Sequence, residues 1–169
     1  MDLSALKVRV YRRLPGFLQR FAVRLVTPNF TVGVVGLITI DGSQVLLVRP
    51  SYRDGWLPPG GFLNRGEQPV PALEREVREE LGLELSFAPW HRVAFDARRK
   101  GVAFVSVAVV PEGTVATPRS AEIREVAWFG VDALPQMPND FYEGMPPEDL
   151  EAVRQAGLRS SIPRPDAGS

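Results

Sequence analysis

The sequence predicts one layered domain of β-strands and α-helices, preceded by a short helical arm. Three observations support this prediction. Runs rich in β-branched residues recur along the middle of the chain, a strongly amphipathic helix lies among them, and no segment repeats at a fixed period. The 169 residues are enough to bury a sizeable core. Mixed strands and helices of this kind form α/β or α+β layered folds.

The first segment, residues 1–28, is predicted to be a basic amphipathic arm of two short helices, interrupted at Leu14-Pro15-Gly16. Six basic side chains and one acidic side chain lie in residues 1–29, whereas residues 120–151 contain eight acidic side chains and one basic side chain. The arm either packs on the domain or contacts an anionic membrane surface or a partner. Both interpretations stay open.

The domain itself is predicted over residues 29–158, followed by a flexible tail at 159–169. Asp41-Gly42 is a hairpin signal between the first two strands, and Gly82 ends the first helix after the arm. The predicted elements are strands at 30–40, 45–48, 90–96, 102–110 and 123–129 and helices at 69–81 and 148–156.

The composition excludes several kinds of site. With no cysteine and only His91, the chain cannot hold a disulfide, a thiolate zinc centre, a cysteine nucleophile or a multi-histidine metal site. A metal held by side chains would be bound through oxygen, which favours Mg²⁺ or Mn²⁺. No apolar run reaches bilayer length and no signal-peptide pattern opens the chain, so a cytoplasmic protein is expected.

Three glutamates fall on one face of the helix predicted at 69–81. At about 100° of rotation per residue, Glu76, Glu79 and Glu80 lie within about 100° of arc. Such carboxylates repel one another unless a cation offsets their charge. The helix is therefore either a solvated one balanced by Arg75 and Arg78 or part of a metal site. A separate apolar stripe anchors it in both cases, formed by Val70, Leu73, Val77 and Leu81.

The segment before this helix favours the metal site. Gly60-Gly61 allows the backbone to bend tightly and to approach a phosphate or a metal without obstruction by a side chain. Glu67 adds a carboxylate just before the helix. Loop and helix are therefore expected to act together.

Taken together, these residues resemble the Nudix box, the signature of the Nudix hydrolase family. The matching positions are Gly61, five residues, Glu67, seven residues, Arg75-Glu76, Val77, one residue, Glu79-Glu80, one residue, Gly82 and Leu83. Similar flanks extend the resemblance over residues 30–135, and the arm lies outside it. The resemblance implies an α/β/α sandwich around a mixed sheet.

The resemblance also implies roles for individual residues. The implied ligands of Mg²⁺ or Mn²⁺ are Glu76, Glu79, Glu80 and, through its backbone carbonyl, Gly60. Arg75 would orient the glutamates by charge-assisted hydrogen bonds, and Glu67 would support the loop or its water network. The general base is open between a glutamate of the box, Glu76 or Glu79, and Glu122 on a later loop.

The implied reaction is attack of metal-activated water on a phosphorus of a diphosphate. The expected enzyme hydrolyses a nucleoside diphosphate linked to another group, such as a nucleotide sugar or ADP-ribose. Three alternatives stay open: a pyrophosphohydrolase of canonical or oxidised nucleoside triphosphates, a non-catalytic nucleotide-sensing module, and an interaction protein that acts through its arm.

Candidate substrate contacts come from basic and aromatic side chains near the box. Arg49, Arg53 and Arg98 are candidate phosphate clamps, and Trp56 and Phe62 are candidate base-stacking rings, although aromatic residues near strands more often belong to the core. His91 is interpreted as structural or exposed. The expected partner is a small nucleotide, with no specific nucleic acid and with a homodimer as an option.

Overall fold

A computed structural model describes residues 15, 29–97, 100–137 and 145–161. The described strands are β1 (Thr31–Thr39), β2 (Gln44–Pro50), β3 (Gly60–Phe62), β4 (Arg92–Asp96), β5 (Gly101–Val109) and β6 (Ile123–Gly130), and the helices are α1 (Pro69–Leu81) and α2 (Pro147–Ser161). Every predicted strand is present with its ends within two residues of the predicted ones. The helix predicted at 69–81 has the predicted bounds, and Gly82 ends it in the left-handed conformation.

The strands form one mixed sheet in the order β4-β5-β1-β2-β6, with β3 paired to β1. β1 runs parallel to β5, and the other named strand pairs are antiparallel. The central strand β1 is apolar on both of its faces, which is typical of a strand covered on two sides.

The two helices cover opposite faces of this sheet. Val34 and Ile38 of β1 belong to the same apolar cluster as Val77 of α1. Leu37, whose side chain points to the other face, belongs to a second cluster with Val153 of α2. The fold is therefore the α/β/α sandwich with a mixed sheet that the resemblance implies.

A short strand between β1 and β2 shapes the region that becomes the site. β1 pairs with β2 next to their turn, where Thr39 lies opposite Val45, and pairs with β3 farther along, at Gly33–Val35. Leu57 bridges Val48 of β2 on the other side. Residues 57–62 are thus inserted between the two strands. The sequence does not predict β3 because Gly60-Gly61 has low strand propensity, and only its pairing with β1 makes it a strand.

The second helix differs from its prediction. α2 continues to Ser161 instead of ending at Ala156, so it includes the first three residues of the segment predicted as a tail, 159–169. Gly157 lies inside this helix, where a larger residue would not fit because a Cβ would overlap the backbone carbonyl of Asp41. The tail from 162 onward and the arm 1–28, apart from residue 15, lie outside the described residues. Within the described part of the chain, no helix is long and apolar enough to cross a bilayer.

Candidate metal and substrate site

A cavity of about 370 Å³ opens where residues 57–62 separate β1 from β2. The glutamates of α1 line one side of it, and Glu122, just before β6, lines another. The lining residues that the sequence singled out are Arg53, Gly60, Gly61, Phe62, Arg75, Glu76, Glu79, Glu80 and Glu122. The fold therefore brings most of the candidate residues to one place.

The guanidinium group of Arg75 connects the loop and the helix. It donates to both carboxylate oxygens of Glu67, at 2.9 and 3.0 Å, and to the Phe62 carbonyl at 3.2 Å. It also donates to Glu76 Oε1 at 2.9 Å and to Glu79 Oε2 at 3.2 Å. These bonds hold three carboxylates in fixed directions, and the surrounding carboxylates raise the pKa of Arg75.

Glu67 closes the loop that leads into α1. Its Oε2 accepts the Asn64 backbone N–H at 2.9 Å, in addition to its two bonds from Arg75. The hydrogen bonds from Arg75 and Asn64 lower the pKa of Glu67 to about 2. Glu67 is therefore ionised at neutral pH and does not face the cavity as a free base.

The two glycines have different steric reasons to be glycine. A Cβ on Gly61 would overlap the carboxylate of Glu76. A Cβ on Gly60 would overlap the backbone carbonyl of Val34 across the β1–β3 pairing. Gly61 thus allows the helix carboxylate to lie against the loop, and Gly60 allows the loop to lie against the sheet.

Glu80 is the buried member of the acidic group. Its relative exposure is 9%, and burial raises its pKa to about 8, with the nearby charges of Glu76, Glu122 and Glu79 adding to the rise. A hydrogen bond from the Gly60 backbone opposes it. Among the described atoms, Oε2 of Glu80 is buried without a hydrogen-bond partner. A buried acceptor without a partner is costly, and a cation would satisfy it.

These donors fit a hard divalent cation. The candidate ligands are all oxygen atoms, the donor type that Mg²⁺ and Mn²⁺ prefer. Within the described residues, no three His, Asp or Glu side chains are close enough to form a metal cage by themselves. Mg²⁺ sites commonly use one or two carboxylates and complete their shell with water and substrate oxygens, so the residues present fit such an ion.

Glu122 approaches the cavity from the loop before β6. Its backbone N–H donates to Ser120 Oγ at 3.1 Å, and its carbonyl accepts the Ser51 N–H at 2.7 Å. Glu122 is an exposed residue, whereas Glu80 is buried. The anchored backbone and accessible side chain suit a group that exchanges protons with solvent or substrate.

Two exposed aromatic rings also line the cavity. Phe62 is 66% exposed and Tyr52 is 69% exposed, and both line the cavity together with Arg53. The Arg53 guanidinium carbon lies 5.8 Å from the centre of the Tyr52 ring. Sequence reasoning missed Tyr52, although its place two residues after β2, at the end of a buried strand, was an available signal.

Two other predicted substrate contacts, Arg49 and Trp56, are placed elsewhere. Arg49 forms a 3.1 Å ion pair with Glu125 across the β2–β6 pairing and is not among the residues that line the cavity. Trp56 packs edge-on against Phe129, with ring centres 4.8 Å apart, in the apolar cluster on the α2 side of the sheet. Arg98 lies outside the described residues.

His91 is also away from the cavity lining. Its Nε2 lies 3.0 Å from Oδ1 of the buried carboxylate of Asp149, which also accepts two hydrogen bonds from Arg92, at 2.9 and 2.6 Å. This cluster joins β4 to the first turn of α2 and gives His91 a structural contact.

Comparison with known proteins identifies the family of this fold. The family model described as NUDIX domain matches residues 29–149. The NAD-capped RNA hydrolase NudC of Pseudomonas aeruginosa is 29% identical over 148 residues, which cover 80% of this chain and 49% of that protein. The RNA pyrophosphohydrolase of Xanthomonas campestris is 52% identical over 56 residues, which cover 33% of this chain and 25% of that protein.

A solved structure gives the same result. The MutT NUDIX hydrolase from Burkholderia pseudomallei superposes with a TM-score of 0.57 at 28% identity, covering 78% of this chain and 98% of that one. The chain spans about half the length of the NudC relatives that it matches. The family model covers well over half of the chain, from before β1 to the first turn of α2. The chain therefore belongs to the Nudix family.

Proposed function

We propose that this protein is a divalent-metal-dependent hydrolase that cleaves the diphosphate linkage of a nucleoside diphosphate joined to another group. The observation that carries the proposal is the acidic side of the cavity, which Glu76, Glu79 and Glu80 line and where, among the described atoms, Glu80 Oε2 is buried without a hydrogen-bond partner. Nudix hydrolases generally need divalent metal ions. The names of the relatives, hydrolases of nucleotide-derived substrates, support the same reaction class.

The chain's own residues have defined roles in this reaction. Glu76, Glu79, Glu80 and the Gly60 carbonyl would hold Mg²⁺ or Mn²⁺. Such an ion neutralises phosphate oxygens and makes water a better nucleophile. Arg75 fixes the directions of the Glu76 and Glu79 carboxylates. Glu122 accepts the proton of the attacking water in our preferred scheme, with Glu76 or Glu79 as the alternative base.

The open side of the cavity is suited to the nucleoside. Tyr52 and Phe62 present exposed rings on which a base can stack, and Arg53 supplies a cation beside them. A phosphate chain bound between Arg53 and the acidic face would place its bridging oxygens near the glutamates. This arrangement favours a substrate with a base at one end and a diphosphate at its centre.

A substrate screen with point variants tests the proposal. Hydrolysis of nucleotide sugars, ADP-ribose, dinucleoside polyphosphates and nucleoside triphosphates is measured with Mg²⁺ and with Mn²⁺, by chromatography of the nucleotide products. Glu79→Gln and Glu80→Gln are expected to abolish turnover while thermal unfolding still shows a folded protein. Glu84→Gln is the matched control, because Glu84 is 79% exposed just after α1 and does not line the cavity. Wild-type activity in both cavity variants would reject the proposal.

A second candidate substrate is the 5′ end of an RNA. The names of the matched proteins motivate it, since they include an NAD-capped RNA hydrolase, an RNA pyrophosphohydrolase and, from Xenopus laevis, an m7GpppN-mRNA hydrolase. Adding NAD-capped RNA, 5′-triphosphate RNA and free NAD to the same screen separates the two. Higher kcat/KM on capped RNA than on free NAD would replace the small-nucleotide substrate with RNA.

The nucleoside triphosphate alternative is tested in the same screen, whereas a non-catalytic sensor would bind nucleotides without turnover. Cytoplasmic location, the homodimer and a membrane or partner contact of the arm stay predictions. Sedimentation and liposome binding of the full chain, compared with a variant lacking residues 1–28, test the last two.

A further inference from the structure

The C-terminal end of α1 is bonded to the segment that leads to Glu122. The last carbonyl groups of an α-helix have no partner within the helix. Here the Arg119 N–H donates to the Glu80 carbonyl at 2.8 Å, and the Thr117 N–H donates to the Leu81 carbonyl at 3.4 Å. Residues 117–119, called the connecting segment below, thus satisfy the end of the helix that carries the candidate metal ligands.

The side chain of Arg119 adds a second contact at this end. It lies against Gly82, where a Cβ would overlap its Nε atom. Gly82 has φ +69°, the left-handed conformation that glycine adopts without strain. A guanidinium group beside the last turn also complements the partial negative charge of the helix end. The glycine of the box therefore leaves room for a cation at the end of α1.

The path from Arg119 to Glu122 is short and internally bonded. The Ile123 N–H donates to the Ser120 carbonyl at 3.1 Å, and Ser120 Oγ accepts the Glu122 N–H at 3.1 Å. On its other side, the Glu122 carbonyl accepts the Ser51 N–H at 2.7 Å. These hydrogen bonds restrict the position of the Glu122 backbone relative to both α1 and the end of β2.

We propose that the connecting segment is a positioning element, which sets the distance from Glu122 to the carboxylates of Glu79 and Glu80. This inference rests on the proposed hydrolase function. Arg119 is its central residue, because its backbone bonds the helix end and its side chain packs on Gly82. It is a positioning residue and acts on the reaction through Glu122.

The direct test lengthens the path from the connecting segment to Glu122 without changing a cavity residue. Two glycines inserted between Arg119 and Ser120 are expected to lower kcat about 10- to 100-fold, because a misplacement of about 1 Å at a reacting group has this effect. KM is expected to stay within about twofold, because Tyr52 and Arg53 are untouched. The same insertion between Glu112 and Gly113, an exposed turn with open space around Gly113, is the matched control and should keep wild-type kcat.

The insertion must act through Glu122 for the inference to hold. In a Glu122→Gln background the insertion is therefore expected to cause no further loss of kcat. Full additivity of the two changes would overturn the inference, and so would wild-type kcat in either the insertion variant or Glu122→Gln. Thermal unfolding of each variant identifies a loss of kcat that comes from unfolding.

Hydrogen exchange of the wild-type protein without added metal gives a readout independent of turnover. The Arg119 amide should exchange as slowly as the Gly82 amide, which donates to the Arg78 carbonyl at 2.9 Å. The Gly113 amide should exchange quickly. Fast exchange at Arg119 would contradict the bond to the helix end. A protein that hydrolyses no substrate in the screen but protects Arg119 would reject the proposed function and leave the connection itself intact.

Discussion

A single methyl group at Gly61 tests how closely the site controls the Glu76 carboxylate. A Cβ there would lie 2.7 Å from Glu76 Oε2 and closer still to the carboxylate carbon, whereas ordinary contact begins at 3.4 Å. In Gly61→Ala the carboxylate must therefore retreat by roughly 1 Å, a displacement that costs up to about 100-fold in rate for a positioned group. It must also lengthen its 2.9 Å bond from Arg75. We expect kcat to fall about 10- to 100-fold.

The neighbouring glycine supplies the contrast. In Gly60→Ala the new Cβ would overlap the Val34 carbonyl, a backbone atom that cannot rotate away, so the β1–β3 pairing is expected to break. Initial rates on the best substrate of the screen and thermal unfolding by circular dichroism are measured for both variants. Gly61→Ala should unfold near the wild-type temperature with low kcat, and Gly60→Ala should unfold at a lower temperature. Wild-type kcat in Gly61→Ala would refute the reasoning.

Three other predictions follow from the same contacts. In Arg75→Met the pKa of Glu67 should rise from about 2 toward 4.5, because Arg75 supplies the main hydrogen bonds to the carboxylate. The Arg75–Glu67 ion pair therefore stabilises the wild type fully above pH 4.5, and this stabilisation is lost as the pH falls through about 2. Carboxyl NMR titration measures the pKa of Glu67 in both proteins. The same pKa in Arg75→Met and in the wild type would contradict the assignment. Leu73→Ala should destabilise the protein by about 2 to 5 kcal/mol in urea unfolding, since Leu73 is 1% exposed; a loss below about 1 kcal/mol would mean that α1 is loosely packed. Trp56→Leu should lower stability through its lost contact with Phe129 and leave KM unchanged, and a raised KM would instead support a substrate role.

The sequence was most informative where function depends on spacing along one element. Helical periodicity alone predicts that Glu76, Glu79 and Glu80 share one face of the helix, and in the structure all three line one cavity. Burial was not predictable in the same way. Glu80 is 9% exposed, and two of the groups that act on its carboxyl, the Gly60 backbone and Glu122, come from other parts of the chain. Its raised pKa is therefore a tertiary property.

Candidates chosen by residue type and proximity to the box were less reliable. Arg49 is close to the box in sequence, but strand pairing directs it toward Glu125 on β6. Trp56 lies between Arg53 and the glycine pair and still packs into the apolar cluster on the other side of the sheet. Side-chain direction in a strand or a tight loop depends on register, which the local sequence did not specify.

The division of the cavity between two kinds of chain segment has a consequence for specificity. The acidic side comes from α1, whose groups would, under the proposed function, act on a diphosphate whatever is attached to it. The open side comes from Tyr52 and Arg53 at the end of β2, together with Phe62 of β3. Because the base would contact mainly this second set, the proposed substrate choice could change there without disturbing the candidate metal ligands. Substitution of Tyr52 should therefore change the KM values of nucleotides that differ in their base, while kcat on each nucleotide stays close to the wild-type value.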